Sequence, residues 1–104
     1  MVIYLAGPMT GIKDWNKPEF DRVEQLLSAA GHTVLNPASH IPKCRPEAIS
    51  HAEYMKISFA MIDAAEALVL LPGWENSKGA NLERDHADRN GLYCVTWASY
   101  GAEL

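Results

Sequence analysis

Residues 67–71, ALVLL, carry no polar side chain, and Pro72-Gly73 cuts the run off at once. A strand so uniformly apolar belongs where both faces are covered, as in a parallel sheet flanked by helices, rather than in a half-wetted antiparallel sheet. The rest of the chain repeats this scheme. Residues 1–6, 32–36 and 92–97 read as three further strands, and the stretches between them carry helical spacing.

The first helix is expected from near Asn16, with Asn16 as its cap, Pro18 tolerated in the first turn and Glu19 at the capping-box position. Phe20, Val23, Leu26, Leu27 and Ala30 form its apolar stripe, and Gly31 closes it. Three prolines and little periodicity make residues 37–46 a loop. A second helix is expected from about Glu47 or Ser50 to Ala65, burying Ala52, Met55, Phe59 and Ile62. The third begins near residues 78–80, runs to Arg89 and ends at Asn90-Gly91. The tail, 98–104, reads as too short for another helix.

Strands alternating with helices imply an α/β fold with a parallel sheet and helices on both faces. The expected strand order is 2-1-3-4, which places the switch point between strands 1 and 3. The loop GPMTG after strand 1 and PGWENSKG after strand 3 would then line one crevice, where open α/β sheets hold their ligands. With 104 residues, the chain is expected to form one domain over 1–104.

Composition narrows the partner class. A net charge of -4 argues against a nucleic-acid polymer, whose binding rests on many Lys and Arg contacts to phosphate. No run approaches the length of a membrane span, and the start MVIYLAG does not resemble a secretion signal, so a cytoplasmic protein is expected. Cys44 and Cys94 form no C-x-x-C motif and read as reduced thiols. Glu83 and His86 make only half of a di-metal helix motif, so no metal is expected.

Within the crevice, Glu83 lies in the first two turns of the third helix, where the dipole favours an ionised carboxylate. Such a group suits attack on an anomeric carbon, or it simply complements the dipole. Ser77 and Gly79 can hold a phosphate or sugar hydroxyl, and Ser77 can equally cap the helix. The Tyr4 hydroxyl either reaches into the crevice or packs in the core with a partner, and Trp74 either stacks on a base or plugs the rim. Gly7 and Gly11 permit close backbone approach of a ligand. GPMTG is not a dinucleotide fingerprint, nor is the second loop an ATP-binding one.

At YLAGPMTG and LLPGWENSKGANLE the chain resembles the nucleoside 2-deoxyribosyltransferase-like superfamily, most nearly its small phage and bacterial branch. That superfamily also holds the 2′-deoxynucleoside 5′-monophosphate N-glycosidases. The resemblance implies a flavodoxin-like three-layer sandwich, no cofactor, a small-molecule nucleoside or nucleotide as partner, and a homo-oligomer. Matched by position, Glu83 is the nucleophile that expels the base, Tyr4 orients it, and Ser77 with Gly79 belongs to the sugar or phosphate cradle. Gly7, Thr10 and Gly11 match first-loop ligand contacts. Ser58 falls where the superfamily carries the aspartate that handles the leaving base, which leaves His51 or Asp63 as substitutes, while Glu66 matches a structural acid. The implied activity is cleavage or exchange of an N-glycosidic bond; the alternative is a nucleotide-binding module that kept the fold without catalysis.

Overall fold

The computed structural model of the chain describes residues 1–40 and 50–101. Strand β1 (Val2–Ala6) pairs in parallel with β2 (Thr33–Leu35) on one side and β3 (Ala67–Leu70) on the other, and β4 (Tyr93–Thr96) extends β3. The order is β2-β1-β3-β4, the one expected, in a flavodoxin-like α/β arrangement. All four residues of β3 are buried, which accounts for the apolar run.

The two faces of the sheet take alternate residues of each strand. Ile3, Leu5, Ala67 and Val69 meet Phe20, Val23 and Leu27 of helix α1 (Lys17–Ala29), with Trp97 and Tyr100 packed alongside. Tyr4, Ala6, Leu68 and Leu70 face the other way, onto Ile62 of helix α2 (His51–Asp63) and Ala87 of helix α3 (Lys78–Arg89). Both α1 and α3 end in the same device. Gly31 and Gly91 take positive φ, and the amides of His32 and Leu92 reach back to the carbonyls of Leu27 and Ala87, closing Schellman turns.

Four local expectations are corrected. Asn16 precedes α1 in left-handed backbone, but its side chain does not cap the helix; its amide donates to the Pro8 carbonyl at 3.0 Å, tying the first loop down. Glu19 pairs with Arg22 rather than closing a capping box. On α2 the buried stripe omits Ala52, which is exposed, and takes in Ser58. Residues 97–101 form a short helix α4 (Trp97–Gly101), started by the Thr96 hydroxyl, which accepts from the Ser99 amide. Among the two proposed starts of α2, Ser50 is the cap and forms a reciprocal capping box with Glu53; Glu47, Cys44 and most of the 37–46 loop lie outside the described residues.

Among the described residues no helix is long and apolar enough to cross a membrane. Cys94 is a free, half-buried thiol.

Candidate active site

The strand order puts the carboxyl ends of β1 and β3 side by side, and the loops leaving them touch. Gly73 adopts φ 89°, and a Cβ there would lie 3.2 Å from Pro8 of the first loop. The second loop turns through a short helix (Trp74–Asn76) and enters α3 at Ser77, whose hydroxyl accepts from the Ala80 amide at 3.2 Å. Ser77 is therefore the N-cap of α3, one of its two expected roles. Asn81 fastens this loop from one turn inside the helix: its side-chain amide lies 3.2, 3.1 and 2.9 Å from the carbonyls of Trp74, Glu75 and Ser77. Sequence reasoning passed over Asn81, although an Asn one turn beyond a cap is the type of residue that binds preceding carbonyls.

From α3, Glu83 points at the sheet and meets Tyr4. The Tyr4 hydroxyl donates to Glu83 Oε2, and Ser58 of α2 lies within hydrogen-bonding reach of both groups, favouring their ionised forms. Tyr4 is fully buried, Ser58 2% exposed and Glu83 7% exposed. Three side chains from a strand and two helices thus close a compact polar cluster in an otherwise apolar layer. Tyr54, one turn before Ser58 on α2, lies close enough to disfavour ionisation of Tyr4. Its hydroxyl reaches the Pro37 carbonyl at 3.4 Å and Met9 Sδ at 3.7 Å, so it links α2 to the loops after β2 and β1.

The charge state of Glu83 departs from expectation. Burial pushes its carboxyl up to about 7, against the downward pull of the Tyr4 and Ser58 hydrogen bonds. Desolvation wins because Glu83 lies beyond the first turn, where the dipole field has decayed, while its carboxylate has lost most of its water. Burial also holds the Tyr4 phenol well above its ordinary range, so Tyr4 stays a neutral donor.

The remaining predicted residues fall at the rim or serve packing. Gly7 is buried, and a Cβ there would come within 2.9 Å of Leu71 Cβ, so its lack of a side chain serves the close approach of β1 to the exit of β3. Thr10 and Gly11 are exposed, with Gly11 at φ 80° and open space around it. Trp74 is half-buried, and Arg84 stands 5.5 Å over its ring, occupying a face that a base would otherwise use. Gly79 sits half-buried in the first turn of α3.

Of the substitutes for a base-side acid, Asp63 is not brought to the cluster. It lies at the end of α2, largely exposed, paired at 2.7 Å with His86, whose ring stacks on Phe59. The His51 side chain lies outside the described residues. Glu66 accepts from the Val2 amide at 2.9 Å and pins the start of β1, a structural placement. Among the described residues no group of three or more His, Cys, Asp and Glu side chains could hold a metal ion.

A solved structure described as 2-desoxiribosyltransferase from Leishmania mexicana shares this fold, at 21% identity and a TM-score of 0.70, over 99% of this chain and 73% of that one. No curated protein matches the chain. Residues 1–96 match the family described as a domain of unknown function, DUF4406, and the chain belongs to that family.

Proposed function

We propose that this chain, as a single domain over residues 1–104, cleaves or exchanges the N-glycosidic bond of a 2′-deoxynucleoside or its 5′-monophosphate, with Glu83 as nucleophile. The observation that carries the reading is the buried Glu83 carboxylate held by the Tyr4 hydroxyl beside the switch point of the sheet. The fold shared with a 2-desoxiribosyltransferase agrees with it. In this mechanism Glu83, ionised, forms a bond to C1′ as the C1′–N bond breaks and its electron pair leaves with the base. Water or an acceptor base then displaces the carboxylate from C1′. Tyr4 acts as the group that orients the attacking oxygen, and its neutral phenol keeps that role across the working pH range. Thr10, Gly11, Trp74, Ser77 and Gly79 would form the rim that receives the nucleoside. The protein would act on small molecules, as a cytoplasmic homo-oligomer.

A second reading is favoured by one observation: Ser58, an alcohol, occupies the α2 position against Glu83 where the resemblance implies an acid. On that reading the chain binds a nucleotide without cleaving it. Incubation with each deoxynucleoside and deoxynucleoside monophosphate, with and without a free base, separates the two. Base release or exchange, lost in Glu83→Gln, is expected for the enzyme. No release by wild type, together with a melting temperature raised by a deoxynucleotide, would instead identify a binding module.

A further inference from the structure

Cleavage at C1′ sends the bond's electron pair to the ring nitrogen, so an uncharged heterocycle departs as an anion unless something protonates it. General acid catalysis of that kind is worth about 100-fold or more. Among the described residues, the groups placed against Glu83 are poorly suited to supply it. Tyr4 has committed its proton to the Glu83 carboxylate, and its ionisation is disfavoured by burial. Ser58 is an aliphatic alcohol, and Asp63 is held away from the cluster by His86 at 2.7 Å. At the same time, an ionised Glu83 is a buried charge whose described hydrogen-bond partners, Tyr4 and Ser58, are both neutral. A charge so placed is costly to maintain and is relieved by a cation beside it.

We propose that the site is matched to glycosides whose departing heterocycle is already cationic, such as an N-glycosyl pyridinium. This inference rests on the glycosidic reading above and narrows its substrate class. The step balances without an acid: Glu83 Oε bonds to C1′, the C1′–N⁺ pair neutralises the ring, and the heterocycle leaves as a neutral molecule. Water then takes C1′ from the carboxylate and gives its proton to solvent. The positive charge passes from ring to sugar next to Glu83, so the buried carboxylate faces a cation before and during bond cleavage.

The test uses nicotinamide 2′-deoxyriboside, a permanent pyridinium, beside 2′-deoxyinosine, which is neutral at the bond broken. Base release by the wild-type protein at pH 8 is measured for each as a multiple of its own spontaneous rate, which removes the greater intrinsic lability of the pyridinium. The expected result is an acceleration of the pyridinium at least equal to that of 2′-deoxyinosine, and its loss in Glu83→Gln, because on this scale a site with a general acid would favour the neutral glycoside by about 100-fold. Acceleration of 2′-deoxyinosine exceeding that of the pyridinium by about 100-fold would overturn the cationic preference and leave the glycosidic reading standing. Acceleration of neither would overturn both, and pyridinium cleavage undiminished in Glu83→Gln would remove the nucleophile on which the inference depends.

Discussion

Tyr4, in the middle of the first strand, donates its hydroxyl to the carboxylate of Glu83, 79 residues further along the chain. The bond joins the sheet to the inner face of α3, and neither group has ready access to water that could replace the other. It also biases the carboxyl toward its ionised form, against the desolvation that raises it to about 7.

Tyr4→Phe removes that donor and keeps the ring. Glu83 should then titrate above its present value, so the acid limb of the base-release profile moves to higher pH. A hydrogen bond to a charged group is worth about 2 kcal/mol, so urea unfolding at pH 8 should show a loss of that order, shrinking toward pH 5 where the carboxyl is neutral. An inflection that stays in place would show that Tyr4 does not set the ionisation of Glu83.

Glu83 should make the fold less stable as pH rises. Its folded-state value, about 7, lies above the ordinary 4.5, so between the two the native state binds more protons than the unfolded chain. The stability associated with the neutral form is present in full below about 4.5 and is lost as pH climbs through about 7. The span corresponds to roughly 3 kcal/mol. Glu83→Gln lacks this titration, so the stability difference between variant and wild type should grow in the variant's favour from pH 5 to pH 8. A difference independent of pH would contradict the burial of a titrating carboxyl.

Gly7→Ala distinguishes packing from ligand approach. The added methyl would lie 2.9 Å from Leu71 Cβ and 3.4 Å from Phe20 Cζ, both parts of the apolar layer under α1. Overpacking of this kind costs about 1–3 kcal/mol, and a lowered melting temperature without any ligand present is the expected result. An unchanged melting temperature with weakened nucleoside affinity would return Gly7 to the ligand-contact role.

The legible parts of the fold were those where local chemistry and tertiary demand agree. An all-apolar run has few places to go but a covered parallel strand, and Ser77, Gly31 and Gly91 carry signals that act within one turn. Strand order came from the general preference of such sheets and was met by β2-β1-β3-β4. What failed depended on distant partners. Asn16 has the right identity for a cap, yet Pro8, eight residues away, takes its side chain. The tail helix is held by Trp97 and Tyr100 packing on the core and by the Tyr100 hydroxyl at 2.9 Å from His32, none of which local propensity contains. In the site, Glu83 and Tyr4 were legible as candidates, but the charge of Glu83 was not, because desolvation depends on how completely three separate elements enclose it. Ser58 was noticed only by alignment, although its place on the buried face of α2, between Met55 and Ile62, follows helical spacing.

Ser58→Asp probes that position directly. It sets a second carboxyl against Glu83 in the same enclosed space, where two like charges disfavour each other and the pair retains a proton into the neutral range. The variant should therefore be less stable than wild type at pH 8, by about 3 kcal/mol or more, with the gap closing toward pH 5. The retained proton is also what a neutral departing base needs. Base release from 2′-deoxyinosine at pH 6 should rise by about 100-fold over wild type, while cleavage of a pyridinium glycoside should gain little, since its ring leaves without protonation. Urea unfolding at the two pH values establishes that the variant is folded and locates the shared proton. A folded variant whose rate on the neutral nucleoside matches wild type would show that the α2 position does not control departure of the base.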